Sequence, residues 1–163
     1  RRGRIWYIMQ DLDSQLFGES VRDELLCGQK ATPERTARAD EVLDALGLGA
    51  LADRHPATLS GGQKQRTCIA SALASEREVI VYDEPTSGLD FGTMGRVADE
   101  VRRARDAGAC IVVVTHDYEF VCAACDQVAV LEDGVVSDVL PVRGEALGRI
   151  RRAIGIDGRA RPL

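Results

Sequence analysis

The chain has 163 residues, of which 45% are hydrophobic, 29% charged and 4% aromatic, and it carries a formal net charge of −5. That length fits one domain with a sizeable core, and the composition is that of a soluble globular protein. The acidic balance argues against nucleic acid as the main partner, no apolar run approaches the roughly 20 residues of a membrane-spanning helix, and no signal-peptide pattern is present.

The predicted elements alternate along the chain. "RIWYIMQ" (Arg4 to Gln10) reads as a short strand and "DLDSQLFGES" as a loop. "SVRDELLCG" is a short helix with Ser20 as its cap and acidic residues in its first turn. "TPERTARADEVLDALGLG" is a helix capped by Thr32, with Pro33 in the first turn and Gly47 or Gly49 as the stop. Its apolar positions Val42, Leu43 and Leu46 recur at helical spacing. A further helix runs from about Gly62 to Ala74. "EVIVYDEP" (Glu78 to Pro85) is a near-continuous apolar run, the pattern of a strand buried on both faces. "GTMGRVADEVRRARDAG" is a helix ended by Gly108, and "ACIVVVTH" (Ala109 to His116) is a second buried strand. "DYEFVCAAC" is a short helix, "QVAVLEDGVVSDVL" an Asp-Gly hairpin, and "GEALGRIRRAIG" a terminal helix. Buried strands alternating with helices indicate an α/β fold with a parallel sheet. The helices between Gln10 and Glu78 have no strand among them and are expected to form a helical subdomain.

Both ends are rich in arginine (Arg1, Arg2, Arg4; Arg149, Arg151, Arg152, Arg159, Arg161), which reads as solvated termini. The five cysteines have no disulfide-framework spacing. Cys122 and Cys125 form a C-x-x-C, but there is no second such pair and no H-x-x-x-H. At i, i+3 on a predicted helix, both are expected to face the core rather than a metal. Reduced thiols fit a cytoplasmic protein. The chain opens on Arg-Arg-Gly rather than Met, directly before an apolar stretch, and so reads as a piece of a longer protein.

"TLSGGQKQRTCIASALA" (Thr58 to Ala74) has an unusual helix entrance. Ser60 is a good N-cap. Gly61 and Gly62 are poor helix formers, and stability alone gives no reason for two of them in the first turn. They do let another molecule approach the bare N–H groups at the positive end of the helix dipole, which suits a phosphate. A flexible turn before an ordinary buried helix explains the same residues, and on these residues alone both readings stand.

More chemistry gathers at the strand ends. In open parallel sheets, ligands bind at the carboxyl ends of the strands. Asp83 and Glu84 lie there, where a first carboxylate can hold Mg²⁺ and a second can orient or deprotonate water. The next strand ends in His116, able to hydrogen-bond a phosphate or an attacking water. The first ends in Gln10, whose amide can complete a Mg²⁺ or water shell. Two solvated acids at a strand end are common, but a Gln, an Asp-Glu pair and a His at three strand ends are hard to explain by core packing.

These residues, taken together, resemble an ABC-type ATPase domain. "YIMQD" is similar to that family's Q-loop, "LSGGQKQR" to its signature motif and "VIVYDEP" to Walker B with the catalytic Glu. "SGLD" is similar to the D-loop and "VVVTHD" to the switch-histidine motif, and all five occur in the family's order. "QDLDSQLFGESVRDEL" is similar to the segment after the Q-loop in ATPases of energy-coupling-factor transporters, which import vitamins and transition-metal ions. No G-x-x-x-x-G-K-[ST] occurs in the 163 residues, so the resemblance is to the C-terminal two-thirds of such a domain.

The expected architecture is therefore α/β: a partial P-loop NTPase sheet, without the P-loop strand, plus a helical subdomain. The expected divisions of a single domain (1–163) are a helical subdomain over 19–59, the signature helix over 60–75, a sheet core over 78–140, and a C-terminal helix and tail over 141–163. With the strand internal to the family's sheet missing, unpaired edges are expected to bring marginal stability, oligomerisation or a rearranged sheet.

The resemblance implies ATP and Mg²⁺ as ligands, and a second ATPase domain and a transmembrane coupling subunit as partners. It places the chain at the cytoplasmic face of the membrane. Glu84 would polarise the attacking water, Asp83 and Gln10 would hold Mg²⁺ and its waters, and His116 would contact the γ-phosphate. Ser60, Gly61, Gly62 and Gln63 would contact a nucleotide held mainly by the partner domain, and Asp90 would lie at the seam linking the two sites. The Gln10–Val21 loop, with Asp13 and Glu19, would pass motion to the membrane subunit. Without a phosphate-binding loop, the chain alone is expected to be inactive. Two other readings are a non-transport ABC ATPase of DNA repair or translation, disfavoured by the lack of heptads and the acidic charge, and a non-catalytic signature-donating module.

Overall fold

The computed structural model describes residues 5–9, 11–75 and 77–156. It divides into two compact units, 1–115 and 116–163. Gln10 and the arginines at positions 1, 2, 4, 159 and 161 lie outside the described residues.

The first unit is built on a parallel sheet of β1 (Ile5–Ile8), β2 (Val79–Asp83) and β3 (Cys110–Val114), in the order β1-β2-β3. Ile8 stands beside Tyr82, and Asp83 beside Val114, so the three strands end level with one another. Helices α1 (Val21–Leu26), α2 (Pro33–Ala45), α3 (Gly61–Ala74) and α4 (Phe91–Asp106) complete the unit. α1 and α2 pack on α3, which in turn packs on β1 and α4. Each of the four begins at a residue whose side chain accepts a backbone N–H: Ser20, Thr32, Ser60 and Asp90. Gly47 and Gly108, just beyond α2 and α4, take positive φ and let the chain turn away. Leu43, Leu46, Ile69, Ile80 and Val97 are among the buried core residues.

The second unit comprises α5 (Tyr118–Ala124), an antiparallel pair β4 (Gln127–Glu132) and β5 (Val135–Pro141), and α6 (Ala146–Ala153). Asp133 and Gly134 both have positive φ, the conformation a two-residue hairpin turn requires. Val121, Leu140 and Ile150 form its small core.

The parallel sheet takes in β1 and stops at β3, while β4 and β5 pair only with each other among the described residues. Two expectations, the burial of β3 on both faces and the inward facing of Cys122 and Cys125, are corrected. β3 is not buried on both faces: Val112 is 44% and Val114 54% exposed. Its five apolar residues have β2 as their one paired neighbour among the described residues. Cys122 is exposed and Cys125 only half-buried. The inward face of α5 is taken by Phe120, Val121 and Ala124, which turns Cys122 outward and leaves Cys125 at the C-cap.

Candidate functional site

Asp83 and Glu84 lie where β2 ends. The Tyr7 hydroxyl on β1 donates to Asp83 Oδ2 at 3.2 Å. That bond and the carboxylate's charge raise the Tyr7 pKa, so the phenol stays a neutral donor. Glu84 has φ +49°, a left-handed conformation that is uncommon outside glycine and asparagine. Three contacts hold it there. Its N–H donates to the Val114 carbonyl at 2.8 Å. The Thr115 hydroxyl donates to its carboxylate at 3.3 Å. The buried Gln65 of α3 donates from Nε2 to the Glu84 carbonyl at 3.4 Å and the Pro85 carbonyl at 3.2 Å.

The chain then turns through Gly88, with φ +73°, into α4. Asp90 caps that helix, accepting from the Thr93 N–H at 2.9 Å and hydroxyl at 2.7 Å, which holds its pKa below the ordinary carboxylate value.

The entrance to α3 lies close to this turn. A Cβ on Gly62 would sit 3.4 Å from the Gly88 carbonyl oxygen, whereas one on Gly61 would meet nothing within 4 Å. Nothing in the described chain requires glycine at 61, and its N–H end stays open to an approaching ligand. Ser60 and Gln63 form a capping box. The Ser60 hydroxyl accepts from the Gln63 N–H at 3.4 Å, and Gln63 Oε1 accepts from the Ser60 N–H at 2.8 Å. Both side chains therefore have a structural role, which leaves the Ser60 hydroxyl hydrogen and the Gln63 amide nitrogen for a ligand.

The 11–20 loop is tied back at several points. Gln15 Oε1 accepts from the Met9 N–H at 3.0 Å, and its Nε2 donates to the carbonyls of Met9 and Asp11. Lys64 of α3 pairs with Asp13 at 2.5 Å. The buried Glu24 carboxylate accepts from the N–H groups of Phe17 at 2.7 Å and Gly18 at 2.6 Å. Its carbonyl accepts from the Ser71 hydroxyl at 3.0 Å. Gly18 has to be glycine: a Cβ there would lie 2.6 Å from the Glu24 nitrogen. The loop leaves Phe17 75% exposed beside a cavity of about 370 Å³ lined by Trp6, Met9, Gln15, Glu24 and Cys68.

The first unit thus brings together Asp83, Glu84, the D-loop turn with Asp90, and the glycine entrance of α3. His116 is exposed and opens the second unit, one residue beyond Thr115. Gln10 lies outside the described residues. Among the described residues no group of three or more His, Cys, Asp or Glu could hold a metal by itself. A lone hard oxygen donor such as Asp83 still fits Mg²⁺, which commonly takes one or two carboxylates plus substrate phosphates.

Sequence reasoning missed Tyr7, Thr115 and Gln65. A signal for Gln65 was available: it heads the stripe Gln65, Cys68, Ile69, Ala72 at i, i+3, i+4, i+7. An amide in an otherwise apolar stripe calls for a specific hydrogen-bond partner.

The profile of the ABC transporter family matches residues 1–87. An ABC transporter ATP-binding protein of Treponema denticola is 42% identical over 138 residues, covering 85% of this chain and 28% of that protein. The cobalt import ATP-binding protein CbiO of Rhodobacter capsulatus is 37% identical over 99% of this chain and 64% of its own length. The energy-coupling factor transporter ATP-binding protein EcfA1 of Lacticaseibacillus paracasei is 36% identical over 85% of this chain and 51% of its own. The chain therefore spans between about a quarter and two-thirds of the length of these relatives. Among solved structures, the ATP-binding cassette MJ0796, dimeric and bound to ADP and Pi in a post-hydrolysis state, superposes with a TM-score of 0.72 at 31% identity, over 88% of this chain and 65% of that one. The cbiO1 protein of Clostridium perfringens, part of the transporter complex cbiONQ, gives 0.69 at 33% identity, over 85% and 57%. Among the described residues, no helix is long and apolar enough to cross a membrane. With five motifs in order on an α/β fold shared with solved cassettes, this chain belongs to the ABC transporter family of ATP-binding proteins.

Proposed function

We propose that this chain carries the hydrolysis and signature elements of the ATPase subunit of an importer of the energy-coupling-factor type, serving metal-ion or vitamin uptake. The names of the CbiO and EcfA1 relatives support the transport class. The observation that carries the chemistry is Glu84: a strained left-handed residue at a strand end, fixed by backbone and side-chain contacts. Such strain is maintained where geometry matters for function.

In this reading Glu84 orients the attacking water and draws off its proton as the bond to the γ-phosphate breaks. Asp83, with its second oxygen engaged by Tyr7, holds the metal, and Gln10 completes its shell. Mg²⁺, when bound, neutralises charge on the phosphate oxygens. His116 is the residue assigned to the γ-phosphate. The N-terminal amides of α3, with Ser60, Gly61, Gly62 and Gln63, contact a nucleotide held by a second ATPase domain, and Asp90 lies at the seam between the two. The 11–20 loop carries the motion to a membrane subunit: Asp13 ties it to the signature helix through Lys64, and Phe17 projects from it as an apolar anchor.

No phosphate-binding loop occurs in these 163 residues, so an assay on them takes that loop from a second protein. The test is a mixed assay with a CbiO relative whose own signature serine has been replaced. Alone, the chain is expected to hydrolyse no Mg-ATP. In the mixture it is expected to restore turnover, and Ser60→Ala or Gly61→Val should remove that rescue. Turnover by the pure chain, abolished by Glu84→Gln, would overturn this division of labour, and absence of rescue would overturn the signature role.

A further inference from the structure

We infer that Gln65 is a positioning residue for Glu84: its carboxamide, anchored in the signature helix, holds the Glu84–Pro85 backbone in the left-handed turn that aims the Glu84 carboxylate. The inference rests on the reading of Glu84 as the water-orienting group.

Gln65 is 5% exposed and lies within α3, three residues after Gly62. A buried primary amide needs partners, since an unpaired one costs roughly 1–3 kcal/mol. Its Nε2 has two, the consecutive carbonyls of Glu84 and Pro85, 3.4 and 3.2 Å away. Proline at 85 brings no N–H, so the turn cannot be closed by a bond donated from that residue. Within the turn the Ser87 N–H reaches the Glu84 carbonyl at 3.3 Å, and the other bonds that fix the dipeptide come from outside it. The Gln65 side chain fixes the carbonyls on one side, and the Glu84 N–H anchors to the Val114 carbonyl on the other. Between these two anchors φ at Glu84 is +49°. A side chain that pins both carbonyls of a strained dipeptide opposes its relaxation to ordinary φ, which would swing the Glu84 side chain away from Thr115 and the strand end.

The consequence is a mechanical link. α3 presents Gly61 and Gly62 at its N-terminus, and the same helix, one turn further on, grips the Glu84 backbone. A ligand that shifts the entrance of α3 therefore shifts the grip on Glu84 within the same unit.

The experiment is residue-resolved amide hydrogen exchange on the full chain, comparing the natural sequence with Gln65→Met, which keeps volume but donates nothing. Gln65→Leu serves as the second variant, because its branched apolar side chain fills similar space and carries no donor. Exchange at Glu84, Ser87 and Leu89 is expected to accelerate roughly tenfold, while Val81 in mid-strand is unchanged. Adding Glu84→Gly, which adopts the left-handed turn without support, is expected to restore protection at Ser87 and Leu89. A purely structural role for Gln65 would accelerate Val81 equally and gain nothing from the glycine. Uniform acceleration, no acceleration at the turn, or no rescue by glycine would each overturn the inference. None of these readouts requires hydrolysis, so a failed assignment of Glu84 as the water-orienting group would leave the exchange pattern intact and be recognised separately.

Discussion

β2 and β3 are neighbours of the same length and nearly the same composition, "VIVYD" and "CIVVV", yet they live in different environments. β2 has a parallel strand on each side, and its Ile80 and Tyr82 are fully buried. β3 has one partner among the described residues, and its apolar side chains alternate between half-buried and exposed. An apolar run encodes a demand for cover on both faces. Whether the demand is met depends on how many strands and helices are available to meet it.

The largest expected effect contrasts the two strands directly. Ile80→Ala should destabilise the first unit by about 2–5 kcal/mol, the range for large-to-small changes at fully packed sites. Val112→Ala, with so much of its surface already exposed, should cost well under half as much. Equilibrium unfolding in urea measures both, and equal costs would mean that β3 is as well covered in solution as β2.

Next in size is association. An open, apolar strand edge is a template for pairing with another chain. The chain is expected to self-associate in light scattering, and Val112→Lys or Val114→Lys to shift it towards monomer without lowering its unfolding midpoint. A clean monomer for the natural sequence would show that the edge is protected.

The cysteines give a chemical version of the same contrast. Burial, together with the charges of Glu24 and Asp13, pushes the Cys68 thiol up to about 12, while Cys110 on β3 is exposed. At pH 8, Cys110 is expected to react with a thiol reagent in the folded protein and Cys68 only on unfolding. The sign of the linkage follows. The fold keeps a proton on Cys68 that the unfolded chain releases near the ordinary thiol value, so this group costs stability as pH rises from about 8.5 towards 12. Midpoints in that range should fall less for Cys68→Ala than for the natural sequence.

The smallest effect concerns Tyr82. Its hydroxyl is buried with no hydrogen-bond partner among the described residues. Removing the orphan oxygen by Tyr82→Phe should leave stability unchanged or raise it by about 1 kcal/mol. A loss would reveal a partner, such as an ordered water.

Much of this was legible in advance because it is local. Ser20, Thr32, Ser60 and Asp90 lie at helix starts where their side chains reach only three residues ahead, and the Asp133–Gly134 turn needs nothing beyond itself. Boundaries moved inward by a few residues: β1 ends at Ile8 rather than Gln10, and β3 at Val114 rather than His116. The Cys122 expectation failed because i, i+3 spacing says that two residues share a helix face without saying which face is inside.

The sequence by itself determined the order and type of the elements, their caps, and the delivery of Asp83 and Glu84 to a strand end, since all follow from hydrogen bonds and periodicities spanning a few residues. Only the tertiary structure decided that Tyr7 reaches Asp83, that Gln65 grips the carbonyls of Glu84 and Pro85, and that β3 pairs with β2 alone among the described residues. Those outcomes depend on which strands become neighbours and which helix lies against them, on contacts between residues 19 to 76 positions apart. Local pattern carries no information about that pairing.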